Sequence, residues 1–472
     1  MPSWLTLSLI LLLSGCAAFR SYDAELYQTL DRASTGNVDA AISLLESNNR
    51  LPDKDLLYYL ELGMLQRLAQ RYPESQKSWS VADQRLQVQS ALDGVAALAG
   101  TAASYVVNDK LKPYSGHDYE KVMLHTYMAL NYLAEGDYDS ARVAIKQTHE
   151  LEAMIAEQRA KQVAAVEEQA RKRGANTSFR ELNGYPVETI DNPAVNALKN
   201  GYQSALSHYL AGFVYESLGE GSLAAPGYRL ANELQPNQPL LEEALRGLDQ
   251  RLLAATRTQD DGMTDVLFIL ATGTAPAIRS GHFRMPVFGP RPMLVSVSFP
   301  VMQSTDPGRL PAQLVLDDGR TLTVAPITSV DLMARRSLKD DMPGIMLRAS
   351  TRAATNATMQ YQAQRAASDN RGSAGAVVGL AALALSVGAS VMESADDRTW
   401  RSLPAEISIA RARVPRGAQT VTLSTPEGQR KARIDVKGRY AVVDLRLLRH
   451  QLYVHAPNVS QAQGGENREG LK

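Results

Sequence analysis

The sequence predicts an α+β multidomain chain: a helical repeat array, then an antiparallel β-sandwich-like domain that carries an Ala/Gly-rich helical insertion. Three observations lead there. Small and aromatic residues recur in a common register in four units of the first half, each about the 34-residue size of a stacked helix pair. From Asp265 onward, short apolar runs alternate with turn signals such as Asp317-Asp318-Gly319. Between Asp331 and Trp400 that alternation stops, and Ala and Gly dominate. A length of 472 residues fits two or three domains of this kind.

The first element is the apolar run Leu5 to Leu13, followed by Ser14-Gly15-Cys16. A membrane-spanning helix needs roughly 20 apolar residues, so this run is too short to be a permanent anchor. It has the length of a signal-peptide apolar region, with small residues before the cut. Cys16 is the only cysteine of the chain, so no intramolecular disulfide partner explains it. The stretch resembles the lipobox of bacterial lipoproteins. That resemblance implies a signal peptide over 1–15, diacylglycerol and an N-acyl chain on Cys16, and a mature protein that begins there. Ala17 follows the cysteine where an aspartate would signal retention, which by the same resemblance implies the outer membrane. The expected location is periplasm-facing.

The helical domain is expected over 16–255. Ala205 to Asn237 holds Gly212, Tyr215, Gly219, Ala224, Tyr228, Ala231 and Pro236. Lys121 to Ala153 places Ala129, Tyr132, Gly136, Ala141 and Ile145 in the same register, and Leu56 to Gln87 places Leu62, Gly63, Ser75, Trp79 and Ala82 there. A looser unit, Tyr22 to Asn49, contributes Ala41 and Leu45. The pattern resembles the tetratricopeptide repeat, a pair of antiparallel helices. Gly and Ala let the two helices approach, the aromatics fill the space between them, and Pro236 ends a helix. The units are not contiguous. Ala91 to Val107 is apolar and rich in Ala and Gly, with Asp93 its only charge. Glu150 to Arg173 is highly charged, with acid-first i,i+4 pairs Glu157–Lys161 and Glu168–Lys172. It reads as a long helix near 150–173 that projects from the array, either solvated or touching a partner. Gly174 to Pro193 then returns the chain as a loop.

The β domain is expected over 262–455. Asp265 to Leu270, Met293 to Phe299, Gln313 to Leu316 and Thr321 to Val324 read as strands. Glu406 to Ala412, Thr420 to Leu423, Lys431 to Val436 and Tyr440 to Leu445 resume after the insertion at 331–400. Within the insertion a helical pattern starts at Ile345, after Met342-Pro343-Gly344. Gly372 to Met392 is an uncharged run with Gly375 and Gly379 four apart. It reads either as a membrane-inserting or Gly-xxx-Gly helix, or as a helix packed within the protein. The tail 456–472 is polar and expected to be disordered.

Lys plus Arg equals Asp plus Glu at 50 each, so the formal charge is zero and no positive field for nucleic acid exists. The seven histidines show no metal-ligand spacing, and no cofactor motif or catalytic constellation appears. Ala271 to Pro276 contains Gly273 but no Gly-Lys-Ser/Thr ending, so it reads as a turn. His125 and His208 occupy equivalent repeat positions and read as satisfied core histidines. Arg335, Arg336, Asp397, Arg398 and Trp400 form the most chemically varied cluster. They could bind an anionic ligand, and salt bridges that tie the insertion to the sheet explain them equally well.

Several stretches together resemble an uncharacterised family of bacterial tetratricopeptide-repeat-like outer-membrane lipoproteins. They are Tyr119-Glu120-Lys121-Val122 with His125, Ala129-Leu130-Asn131-Tyr132-Leu133, Asp331 with Ala334-Arg335-Arg336 and Met342-Pro343, and Asp397 to Trp400 before Leu403-Pro404-Ala405. The resemblance implies a role in cell-envelope biogenesis and brings no known activity. The expected function is therefore a non-enzymatic, lipid-anchored adaptor whose repeat groove binds an envelope protein. The alternative is an enzyme or binding protein for an envelope glycan or lipid, with a site between the two halves.

Overall fold

The computed structural model describes residues 22–99, 110, 112–175, 177–255, 261–287, 293–305, 311, 313–369, 394–425 and 428–457. Cys16, Gly372 to Met392, nearly all of the tail and the end of Ala91 to Val107 lie outside them.

The first half is a row of helix pairs: α1 (Tyr22–Ser34) with α2 (Val38–Asn48), α3 (Leu56–Leu68) with α4 (Tyr72–Ala99), and α5 (Asp118–Glu135) with α6 (Tyr138–Arg173). After a short α7 (Pro193–Ala197) come α8 (Ala205–Ser217) with α9 (Gly221–Leu234), then α10 (Pro239–Arg246) and α11 (Leu248–Ala255). Local chemistry sets the ends. Asn37, Asp55, Asp137 and Ser204 each accept a backbone N–H in the first turn of the helix they precede. Gly136, at φ +79°, closes α5 in the left-handed region.

Packing within the pairs follows the small-to-large pattern of the sequence. A Cβ on Gly63 would stand 2.3 Å from Trp79 Nε1, and one on Gly212 would stand 2.6 Å from Tyr228 Cδ1. Ala129 and Ile145 hold the same two places in the third unit, and both are buried. Ala141, Ala224 and Tyr215 are buried, Tyr132 is half-buried, and Pro236 lies just past the end of α9. The charged stretch near 150–173 is not a separate helix. It continues α6, which runs 36 residues without a break.

The second half begins at β1 (Met263–Thr272), followed by β2 (Ile278–Val287), β3 (Met293–Met302), β4 (Gln313–Val315), β5 (Thr321–Thr323) and β6 (Ala325–Ser329). The 40-residue α12 (Val330–Asp369) intervenes before β7 (Glu406–Pro415), β8 (Gly417–Thr425), β9 (Gly428–Val436), β10 (Tyr440–Leu448) and β11 (Gln451–His455). They form a five-stranded sheet in the order β11-β10-β1-β7-β6, a four-stranded sheet β5-β4-β8-β9 and the ribbon β2-β3.

The fold class is the one expected, a helical array followed by a β domain, with two departures. The five-stranded sheet is mixed, because β1 and β10 run parallel from Asp265↔Tyr440 to Thr272↔Leu447. A parallel pair needs a long connection, and the whole chain between β1 and β10 supplies it. Helix α12 also starts well before Ile345 and passes through Pro343, with Met342 and Met346 buried on either side of it.

The layers explain the continuous apolar run of β1. One face of the five-stranded sheet, with Val266, Phe268, Leu270, Val443 and Leu445, packs on Leu314, Val421, Leu423 and Ile434 of the four-stranded sheet. The other face, with Leu267, Ile269, Ile407, Ile409 and Val442, joins the core of α3, α5 and α8 through residues such as Tyr127, Tyr209 and Phe213. The order is helices, five-stranded sheet, four-stranded sheet. Val266 to Ala271 are all at most 1% exposed, so β1 is central to both cores. Each large apolar side chain buried this way contributes roughly 1.5–3 kcal/mol.

Candidate functional site

The inner faces of the first helices of each pair, where an adaptor would hold its partner, are covered by the chain's own β domain. Buried polar side chains make the contact. Glu61 on α3 accepts the backbone N–H groups of Arg401 (2.7 Å) and Ser402 (3.2 Å). Glu120 on α5 accepts the N–H of Trp400 (2.7 Å) and the Thr399 hydroxyl (3.1 Å) on one oxygen. Its other oxygen takes the Tyr114 hydroxyl (2.5 Å) and the His117 N–H (3.0 Å). Two carboxylates on neighbouring helix pairs thus hold one stretch, Thr399 to Ser402, through three backbone N–H groups and the Thr399 hydroxyl. Burial pushes Glu61 up to about 7, against the pull of those donors and of Arg401.

The same arrangement continues along the array. Arg67 on α3 donates to Asn131 Oδ1 (2.6 Å) and pairs with Asp444 of β10 (2.8 Å), both side chains almost fully enclosed. Its guanidinium also lies over the rings of Tyr72 and Tyr127. Glu216 on α8 receives Arg251 (2.7 Å), Arg411 of β7 (2.6 Å) and the Tyr228 hydroxyl (2.6 Å). Arg411 in turn binds Asp265 of β1 (2.7 Å) and lies over the Phe213 ring. On β6, Thr328 Oγ1 accepts the Leu206 N–H (3.0 Å) at the start of α8. Breaking one partner out of a buried pair of this type costs roughly 3–5 kcal/mol, because the other charge is left unpaired.

The residues suspected of binding an anion have separate structural employments. Arg335 forks onto Asp331 (2.7 and 3.1 Å) and donates to the Thr189 and Gln303 carbonyls. Arg336 takes Asp340 (2.9 Å) and the Leu198 carbonyl (2.5 Å). Arg398 binds Asp396, donates to the Lys112 carbonyl and covers the Tyr114 ring. Asp397 pairs with Lys110 (2.9 Å). Trp400 is fully buried, edge-on to Trp79 with ring centroids 6.0 Å apart. These contacts tie the insertion to both halves. They do not gather the five side chains around one ligand position.

His125 and His208 are each held by a carboxylate from a neighbouring second helix, Asp83 (3.1 Å) and Glu152 (3.0 Å) respectively. His149 stacks on His208 at 5.2 Å, and burial holds it below its usual pKa. Among the described residues no three His, Cys, Asp or Glu are placed to hold a metal ion. Among them, too, no helix is long and apolar enough to cross a membrane. A cavity of about 510 Å³ opens between α1 and β2, lined by Asp23, Tyr27, Gln28, Arg279, Ser280 and Asp397 among others.

Sequence reasoning did not single out Glu61, Arg67, Glu216 or Arg411, and quoted Glu120 only within a motif. A signal was present. Helices α3 and α8 are apolar almost all round, which marks a helix buried on every side, and a charge inside such a helix must find a partner.

No family profile matches the chain, and no curated protein matches it. Among solved structures it is similar to a tetratricopeptide repeat protein from Parabacteroides merdae. The identity is 13%, over 48% of this chain and 98% of that one, with a TM-score of 0.13. That score is too low to assign a family.

Proposed function

We propose that the chain is a scaffold anchored to the outer membrane by lipid on Cys16, facing the periplasm, and that it binds an envelope protein through the outer side of its repeat array. The observation that carries this reading is the contrast between the two sides of the array. The inner side is closed by the β domain. Val88, Val143, Met154, Val163 and Leu223, all on the second helices of their pairs, are between 48% and 58% exposed. Exposed apolar positions on a helical repeat surface suit a partner helix or peptide. A photo-crosslinking residue at Val143 or Val163 in intact cells should therefore capture a protein. Recovery of no protein adduct, together with a co-purifying small ligand, would overturn the scaffold reading.

The second reading is a binding protein for an envelope glycan or lipid. The cavity between α1 and β2 supports it, because its size falls within the range of ligand pockets and it lies between the two halves. For the anchor, Cys16→Ala should release the chain from the membrane fraction or leave it unprocessed, whereas the acylated protein should resist salt and carbonate washes. Processed Cys16→Ala protein that stays firmly membrane-bound would contradict the lipid anchor.

A further inference from the structure

We propose that β11 is an acid-released edge strand: protonation of His455 frees it from the repeat array and from β10 while the rest of the sheet stays folded.

His455 is the last residue of β11, and β11 is one edge of the five-stranded sheet. Successive side chains of a strand point to opposite faces. Leu452 and Val454 face the four-stranded sheet, whereas Tyr453 and His455 face the helices. The Tyr453 hydroxyl donates to the Ala33 carbonyl, Gln70 donates to the Val454 carbonyl at 2.8 Å, and the Tyr72 hydroxyl meets His455 Nδ1 at 3.1 Å. Five ladder pairs, from Asp444↔His455 to Leu448↔Gln451, join the strand to β10. No other strand among the described residues pairs with it, so it can open without breaking the rest of the sheet.

The surroundings of His455 oppose a charge on its ring. Arg67, Asp444, Arg446 and His455 are each at most 3% exposed. Arg67 comes from α3 and Asp444 and Arg446 from β10, with Tyr72 of α4 and Tyr127 of α5 beside them. Asp444 lies opposite His455 in the ladder, but it is already paired with Arg67. Arg446 is spent on the Gly273 and Ser402 carbonyls and has no carboxylate partner among the described residues. Glu135, at the end of α5, is within electrostatic reach of Tyr72. Strand β9 touches β11 from the other sheet, where its inward side chains Ala432, Ile434 and Val436 are apolar. Two guanidiniums and one carboxylate thus surround a neutral imidazole. A protonated ring carries an N–H on both nitrogens, and Nε2 is buried here without a hydrogen-bond partner.

Burial, and then the charges of Arg67 and Arg446, hold the ring well below its usual pKa. In the released strand it returns to about 6.5. The bound strand therefore takes up fewer protons than the released one, and its hold weakens as pH falls through that value. The release equilibrium should be roughly thirtyfold larger at about pH 5 than at about pH 7.5, because only the released state takes up the proton. Release leaves β10 as the sheet edge, with backbone groups free to pair with an added strand.

The test is hydrogen exchange of the full chain from about pH 7.5 to about pH 5, corrected for the intrinsic pH dependence of amide exchange. Amides over 451–455 should open roughly thirtyfold more often at the acid end, with no such increase in β1. His455→Gln should remove the acid sensitivity of β11. With ¹³C-labelled histidine, the ring signal lost in His455→Gln should stay that of a neutral imidazole throughout in the wild type. A ring that titrates near its usual value or above in the folded chain would mean that Asp444 accepts the cation, and would overturn the proposal. Exchange of β11 that does not change with pH would overturn it as well. So would an equal increase in β1 and β11, which would make the acid effect global. Should His455→Gln fail to fold, the wild-type exchange and the ring titration decide the matter by themselves.

Discussion

Glu61 accepts two backbone N–H groups from the far half of the chain, and burial still pushes it up to about 7. A carboxyl whose folded pKa lies above its unfolded value near 4.5 binds more protons when folded. Its contribution is greatest below the unfolded value and falls away as pH rises through about 7. The stability difference between wild type and Glu61→Gln should therefore shrink as pH is raised from about 5 to about 8, measured by urea unfolding. Glu61→Ala leaves both N–H groups without an acceptor and should cost roughly 2–4 kcal/mol near pH 5, a cost that falls with rising pH by the same amount as the Glu61→Gln difference. Glu406 is pushed up to about 7 in the same direction by burial, so the pH test needs the single-site comparison and not the wild-type curve alone. Gly63 carries a different constraint. Gly63→Ala would drive a Cβ into the Trp79 ring and should cost roughly 1–3 kcal/mol. Adding Trp79→Ala should relieve that clash, so the double variant should lose less than the sum of the two singles. The Gly63–Trp79 relation was legible in the sequence because small and large residues recur at one spacing in each pair. The role of Glu61 was not, since its partners lie more than three hundred residues away and local pattern says nothing of them.

Helices α6 and α12 run parallel as a pair. Arg159 of α6 bridges Asp118 and Asp341, Val166 lies against Gly344, and Arg173 reaches Thr351. The exposed pairs along α6, such as Glu157–Lys161, add only ~0.3–0.5 kcal/mol each. Arg159 is the partly buried tie, so Arg159→Leu should speed hydrogen exchange in the last turns of α6 while leaving exchange in α3 and α5 unchanged. Equal exchange in both regions would show that the helix pair needs no such tie. The long charged helix was legible from its i,i+4 pairs. Its continuity with the repeat was not, because the apolar repeat pattern ends near Ile155 while the backbone continues. In the same way, eight strands were expected and eleven are present among the described residues. Strand β2 has Gly281, Pro286 and several polar residues, which dilute its alternation, while β6 and β11 are only five residues long. The apolar run Val266 to Leu270 was legible as a strand, though not as one buried on both faces. It could not signal that β10 would pair with it in parallel.

At the scale of the whole molecule, a repeat array expected to keep an open groove has that groove filled in cis. Arg67–Asp444, Glu61 and Glu120 on Thr399 to Ser402, and Glu216–Arg411 span the array from α3 to α8. The five-stranded sheet adds an apolar face of its own to the helical core. The helical and β halves should therefore unfold as one cooperative unit, although their sequences differ as two domains would. The most direct test is native-state hydrogen exchange of the full chain over a series of sub-denaturing urea concentrations. Amides in α3, α5, β1 and β10 should converge on one opening free energy with one urea dependence. If β1 and β10 instead open together at lower urea while α3 and α5 stay protected, the inner face can be uncovered without unfolding the array, and the closed groove described above is a separable state.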